Sequence, residues 1–456
     1  MAIIGAAAVL VAGVAVYSLS RGPDYPDHWD PRVLDLVDFV EAHRGLDFEH
    51  PVAVDFLTDE DYSKLTRTDE ADLTDDDRAS LAHQEGFFRA LGLLAGDVDL
   101  FEAGNTLQDD GTLAFYSPTT NRVTVRGLSL TVELRVTVVH ELTHALQDQY
   151  FDLEAMQDVE SDGEAFAARA LIEGDAVRVE NEYVDQLSDS ERDEYESAQP
   201  TSVEEAGLGD VPVTLVALFG APYQFGLPFV YLLDARGGQS DIDDAFYDPP
   251  TSEEHLLDPY SFVTGDDPAP LDEIDPDRDV EVVESGDFGA LGLYLMLAER
   301  IDPLVALHAV DGWRGDAYAA YERDGAICID ARIATDTTAD LDELHAALDQ
   351  WDAALADDAV AVHRSGDDIA FTACDPGADD APAVTGTGAD ALVLPEVRSY
   401  EFGKALGSGL EDEDARCFSQ QVVEHLTIAE LIGEEELSDE HIGAVEDAAV
   451  VACGLG

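Results

Sequence analysis

The sequence predicts an α+β protein: a helix pair beside a small mixed sheet, then a small αβ unit, then a helical C-terminal unit. Three observations predict it. Apolar residues recur at spacings of three and four through Leu134–Gln149 and again through Asp162–Tyr183, as in helices with one buried face. Apolar and polar residues alternate in Pro51–Leu57 and in Thr112–Arg126, as in half-buried strands. From residue 326 onward the pattern changes to a fresh set of short strand-like and helical runs.

The chain carries 100 Asp and Glu against 23 Lys and Arg, a net charge of −77, and Lys64 and Lys404 are its only lysines. Such a chain repels itself in dilute buffer and stays soluble in brine, where the Debye length shrinks to roughly 3 Å. An extreme halophile is therefore the expected source. Disorder also produces high charge, but a hydrophobic fraction of 46% supports real cores over most of the 456 residues. Nucleic acid is not an expected partner, because phosphate binding needs clustered Lys and Arg.

Ala2–Leu19 is an uncharged, mostly apolar run, long enough to span a membrane. It lacks the basic flank and small-x-small cleavage site of a signal peptide. Residues 1–20 are thus expected to be an N-terminal membrane anchor, with a signal sequence as the alternative. Residues 21–30 read as a Pro/Asp-rich linker and 31–325 as the main domain. Pro31–His43 is a helix with Val33, Leu36, Val37 and Val40 as its stripe. Pro51–Leu57 is a strand, Asp69–Asp77 an acidic loop and Leu81–Leu94 a helix. Thr112–Arg126 is a β-hairpin closed around Ser-Pro-Thr-Thr-Asn.

Directly after the hairpin comes His140-Glu141-Leu142-Thr143-His144. Residues four apart share a helix face, with Cβ atoms about 5–6 Å apart. Two imidazoles so placed can each reach one metal ion at roughly 2.0–2.1 Å. Glu141, beside the first histidine, is placed to take a proton from water as a general base. Two histidines do not hold zinc tightly, so a third ligand is needed. Asp162–Tyr183 reads as a second helix, turned back antiparallel through Tyr150–Ser161, and carries two candidates. Glu164 and Glu173 are nine residues apart, about half a turn out of phase on a 3.6-residue period, so only one can face the metal. Glu173 is preferred, because apolar residues precede it and small ones follow it in Ala170-Leu-Ile-Glu-Gly-Asp-Ala176.

Beyond the helix pair, Gln186–Gly209 reads as a mobile acidic loop and Val211–Arg236 as an apolar segment. Tyr223, Tyr231 and His255 are candidates for stabilising an oxyanion. Asp241–Thr264 reads as loop with a short helix, Phe288–Leu307 as one buried helix, and Asp311–Asp316 as a turn whose tryptophan packs. Residues 326–375 form the small αβ unit, with a strand at Ala326–Ile333, an amphipathic helix at Leu341–Leu355 and two strands in Ala359–Thr372. Residues 376–390 are a Gly/Ala/Asp/Pro/Thr linker and 391–456 the helical unit. The four cysteines, all in the last third, fall into two local pairs, Cys328–Cys374 and Cys417–Cys453. Disulfides imply an oxidising, non-cytosolic setting.

HELTHALQDQ followed by ALIEGDA resembles the gluzincin branch of the zincin metallopeptidases. The resemblance implies a zincin-like catalytic domain, with His140, His144 and Glu173 as zinc ligands and Glu141 as the base. The spacing from His144 to Glu173 is longer than in that family, and Leu-Ile stands where Trp-Leu is usual. Pro51–Thr58, Asp248–Glu254 and Gly312–Tyr318 resemble stretches of haloarchaeal surface proteins that carry the same motif. The expected function is a zinc metallopeptidase on the cell membrane, with the bulk of the chain outside or, alternatively, secreted, and a peptide or protein as substrate. The alternatives are a surface protein that keeps the fold without catalysis, and a metal-dependent hydrolase acting on something other than peptides.

Overall fold

The computed structural model describes residues 25–159, 161–269, 271–276, 280–355 and 360–456. The expected anchor lies outside these residues. The first half begins with helix α1 (Leu34–Arg44) and strand β1 (Ala53–Leu57), then helices α2 (Asp75–Ala90) and α3 (Leu100–Asp110), then the hairpin β2 (Ala114–Ser117) and β3 (Arg122–Arg126). Helices α4 (Val132–Phe151), α5 (Asp162–Asp185), α6 (Asp189–Ala198), α7 (Val213–Gly237) and α8 (Gln239–Tyr247) follow. The second half contains β4 (Val282–Gly286), α9 (Gly289–Ala298), α10 (Pro303–Val310), β5 (Trp313–Arg323), β6 (Ala326–Thr335), α11 (Thr338–Ala354), β7 (Val360–Ser365) and β8 (Asp368–Cys374). Three longer helices close the chain, α12 (Val393–Gly407), α13 (Asp412–Glu424) and α14 (Asp439–Ala452). Further short helices lie between these elements.

The architecture is α+β with two small sheets. The first is mixed, in the order β1-β3-β2, with β1 parallel and β2 antiparallel to β3. The second is antiparallel, in the order β4-β5-β6-β8-β7. Two apolar cores serve them. One joins Val33, just before α1, and Leu36, Val37 and Val40 of α1 to Val123 and Val125 of β3 and to Val138, Leu142, Ala145 and Leu146 of α4. The other runs from Phe87 of α2 through α5, α7 and α9 to Phe371 of β8 and Phe402 of α12. Helix α4 lies between the first sheet and α5, so its apolar stripe and its histidine face are buried on different partners.

Several expectations are corrected. The boundary at 325/326 falls in the tight turn between paired strands β5 and β6, and one apolar cluster crosses it, so 326–375 does not form a separate unit. Trp313–Arg323 is a strand, because Tyr318, Ala320 and their neighbours are covered on both sheet faces and leave no solvent-facing alternation to read. The segment 186–209 contains α6, opened by a Ser188/Glu191 capping box. Phe288–Leu307 is two helices, broken at Asp302-Pro303, where Asp302 caps the second. Part of the acidic loop 69–77 is already helical, since Thr74 caps α2 with Asp77. The 376–390 stretch is tied to the body: Arg300 donates to Ala383 O at 2.7 Å and Thr385 N to Glu299 Oε1 at 2.6 Å. Both expected disulfides are present, Cys328–Cys374 joining β6 to β8 and Cys417–Cys453 joining α13 to the end of α14.

Helix α7 is apolar along most of its length, but Phe225, Phe229 and Leu232 are buried in the protein core. It crosses α5 where two glycines meet. A Cβ on Gly174 would lie 2.2 Å from the Gly226 carbonyl, and one on Gly226 2.0 Å from the Ala170 carbonyl. No rotamer relieves a clash with backbone, so the two helices touch only because both residues are glycine. Gly220, on the same helix, has open space around it. Gly226→Ala is therefore expected to destabilise the protein by about 2–4 kcal/mol. Gly220→Ala should instead be neutral or stabilising by up to about 1 kcal/mol. Thermal unfolding of both variants in molar salt measures the difference.

Candidate metal centre

Helix α4 starts at Thr131, whose hydroxyl accepts from the Leu134 amide. It carries His140, Glu141 and His144, all buried. Helix α5 starts at Ser161, whose hydroxyl accepts from the Glu164 amide. Val138, Leu142 and Leu146 turn toward the first sheet, which leaves the histidine face toward α5. Glu173 meets it there. His140 Nε2 and His144 Nε2 are 2.9 Å apart, and Glu173 Oε2 is 3.2 Å from the first and 3.1 Å from the second. Among the described residues this is the group of His, Asp and Glu side chains whose ligand atoms all fall within 4.8 Å of one another. Glu164 does not join it and lies at the far, N-terminal end of α5.

The outer hydrogen bonds decide which atoms face the centre. Gln147 Nε2 donates to Ile172 O at 3.1 Å and to Asp175 Oδ2 at 2.9 Å. Both partners only accept, so the amide orientation is settled and Gln147 Oε1 faces His144 Nδ1 at 3.0 Å. That nitrogen must carry the proton, which leaves Nε2 of His144 with a bare lone pair. His140 Nδ1 likewise faces a carboxylate, Glu180 Oε2, at 3.0 Å. Two imidazole lone pairs and a carboxylate oxygen thus converge on one buried point with no donor among them. A cation resolves the conflict.

The donor set fits a metal of zinc type. Tetrahedral bonds of about 2.0–2.1 Å put ligand atoms about 3.3–3.4 Å apart, close to the three separations here. Each histidine also has the hydrogen-bonded outer partner that orients a ligating imidazole. Without a metal, a proton must hold the same point. Burial opposes charge on His140, but hydrogen bonds to Glu173 and Glu180 override it and hold the imidazolium well above its usual range. Burial would raise Glu173, but the His144 and His140 imidazoles hold its carboxyl well below the ordinary value.

Glu141 is not one of the three converging groups, although His140, His144 and Glu173 all act on its charge. Its Oε2 accepts from the Tyr116 amide at 2.6 Å, and burial raises its pKa. Tyr116 lies on β2, one of the two edge strands of the mixed sheet, and its hydroxyl reaches Asp148 Oδ2 at 2.7 Å. The hairpin is thereby braced on α4 at two points. Of the three oxyanion candidates only Tyr223 is at the centre. Its ring centroid is 6.0 Å from that of His140, and it interacts with Arg169. Arg169 Nε is in turn 3.7 Å from Glu173 Oε1. Tyr231 packs near Tyr400, and His255 faces Asp266 O at 2.9 Å.

The supporting residues were not anticipated from the sequence. Glu180 follows Glu173 by seven residues, two turns on the same face, and Gln147 follows His144 by three, so helical periodicity could have suggested both. Arg44 gives no such signal. It lies at the end of α1 and donates to Asp175 Oδ2 at 2.6 Å, both side chains fully buried. Arg178 holds the other Asp175 oxygen at 2.8 Å.

Residues 278–401 match the model of a domain of unknown function, DUF8575. This region covers the second sheet and excludes both helices of the centre. No curated protein and no solved structure matches the chain.

The whole protein is expected to bind one equivalent of zinc, and His140→Ala or Glu173→Gln to abolish it. Gln147→Ala and Glu180→Ala should each weaken binding by about 10–100-fold. Metal must displace the proton held on His140, so affinity falls as pH is lowered, starting at a higher pH than an ordinary histidine would set. Competition with a chromogenic chelator across pH measures all of these.

Proposed function

We propose that this protein is a zinc-dependent peptidase of the gluzincin kind. The observation that carries the reading is the convergence of His140, His144 and Glu173, with a separate buried carboxylate, Glu141, on the adjoining residue of the same helix. The three ligand positions would leave the fourth corner of a tetrahedral ion open for water, as hydrolytic sites need. When bound, the metal supplies Lewis acidity and a water of lowered pKa.

The chain's own groups divide the remaining work. Glu141 accepts the proton from the attacking water and returns it to the leaving amine. Its raised pKa suits both steps, because a weakly basic carboxylate would hold that proton poorly. The Tyr223 hydroxyl, polarised by Arg169, donates to the oxyanion that develops on the scissile carbonyl. Edge strand β2 lies beside Glu141 and offers backbone groups for pairing with an extended peptide, a general way of gripping one. The Tyr116 amide is taken by Glu141, so pairing uses the other outward-facing backbone groups of the strand. Two disulfides and a −77 charge support a location outside the cell, in brine.

Glu141→Gln is expected to keep zinc affinity within about threefold and to lower kcat/KM by at least about a thousandfold, since an essential general base is lost. Retained peptidase activity in that variant would overturn the mechanism. In the parent protein the base must be ionised, so activity should fall as pH drops through the Glu141 pKa, above the usual range for a glutamate. Tyr223→Phe should lower kcat by about 10²–10³-fold with little change in KM. Cleavage of a quenched peptide library in molar KCl, with and without chelator, provides these readouts.

A further inference from the structure

Two segments that the metal centre leaves unexplained, Asp248–Glu254 and Gly312–Tyr318, meet at a single cavity. It has a volume of about 290 Å³ and lies between them and the N-terminal end of α5. Thr251, Ser252 and Glu253 come from the first segment, and Trp313, Gly315 and Asp316 from the second. Glu164, Asp267 and Asp287 complete its carboxylate lining, and among the described residues no lysine or arginine lines it.

The cavity is built rather than left over. Asp316 Oδ1 accepts from the Phe288 amide at 2.6 Å and its Oδ2 from Trp313 Nε1 at 2.9 Å, which pins the indole and the start of α9. Gly315 is required, because a Cβ there would lie 2.3 Å from Ala269 O. Gly289, at φ +68°, is required too, since its Cβ would lie 2.1 Å from Glu253 Oε2. Glu253 is 1% exposed, and its Oε2 accepts from the Leu291 amide at 2.8 Å. Its Oε1 has no hydrogen-bond partner. A buried carboxylate oxygen left without a donor is costly and calls for one from outside the chain.

We propose that this cavity is a second binding site, for an organic cation: an ammonium or guanidinium group seated on Glu253 and led in by Asp267. Charge complementarity selects the sign. Spacing selects the kind of cation, because among the described residues these carboxylates do not bring three ligand atoms within 4.8 Å as the metal centre does. A bare ion would be under-coordinated, whereas a group with several N–H donors spans separated oxygens. The volume is at the low end for small-molecule sites. Without a cation a proton can relieve the same oxygen, and burial holds the Glu253 carboxyl well above its ordinary value. Burial, with Asp287 nearby, pushes Asp316 up to about 7, and burial, with Asp162 nearby, pushes Asp287 up to about 6.

The cation has two natural sources, a free amine or a basic side chain of a peptide. Glu164 and Glu173 share one helix, nine residues apart, so the two sites are separated by about 13–14 Å along its axis. The test is calorimetric titration of the whole protein in molar KCl with agmatine and with 1,4-diureidobutane, an uncharged analogue in which urea replaces both cationic ends. Agmatine is expected to bind one-to-one, with no measurable binding of the urea. Glu253→Gln and, at the exposed mouth where misfolding is not at issue, Asp267→Asn should each weaken agmatine by about tenfold or more. A blocked peptide with a central arginine, compared with its citrulline form, tells the sources apart. Tighter binding than agmatine, lost with citrulline, assigns a peptide side chain, and the reverse order assigns a free amine. Equal binding of agmatine and the urea, binding of neither agmatine nor the arginine peptide, or unchanged affinity in both variants overturns the proposal. Agmatine binding should survive chelation of the metal, so failure here leaves the peptidase reading standing, and failure of that reading leaves the cation site standing.

Discussion

Three acceptor atoms forced together inside a protein repel one another, and the arrangement of α4 and α5 follows from tolerating that repulsion. His140 Nε2, His144 Nε2 and Glu173 Oε2 stand 2.9–3.2 Å apart. They can do so because other groups hold the far side of each imidazole. Glu180 and Gln147 take the Nδ1 protons, and Gln147 is held by Asp175, which two buried arginines hold in turn. A change anywhere along this series lets a ring rotate and relieves the repulsion without a cation. These outer partners thus keep the three acceptor atoms facing one point, as the proposed metal site requires.

The same helix pair depends on close backbone contact. Gly174 follows Glu173 directly, and its contact with Gly226 brings α7 near enough for Tyr223, three residues earlier, to stand beside His140. The small residues after Glu173 are a packing requirement of the third helix, and that helix brings a phenol to the proposed reaction centre. One glycine contact therefore links the stability of the core to the composition of the site.

An acidic chain has few cations, and this one uses several of them inside. Arg44 and Arg398 are almost completely buried, the first on Asp175 and Asp243, the second on Asp311 and the Leu257 carbonyl. Arg89 joins α2 to Asp375 beyond the second sheet at 2.9 Å. Removing one partner of such a pair leaves an uncompensated charge, which costs far more than the intact pair contributes. The excess negative charge meanwhile lies on the surface, where salt screens it. Buried arginines and exposed carboxylates are two consequences of one composition.

Local pattern determined a good part of this protein. A four-residue repeat of histidine on an apolar-striped helix placed both rings on one face, and a small-residue run marked Glu173 over Glu164. The hairpin, the motif helices and both disulfide pairs were legible for the same reason, since each rests on neighbours in sequence or on simple proximity. Strand β5 was not legible, because a strand buried on both faces has no alternation, and the limits of the second sheet were hidden with it. Nor could sequence assign Arg44 to Asp175 or bring Asp248–Glu254 up to Gly312–Tyr318. Those partners are separated by long stretches of chain, and only the packed fold sets the distance between them.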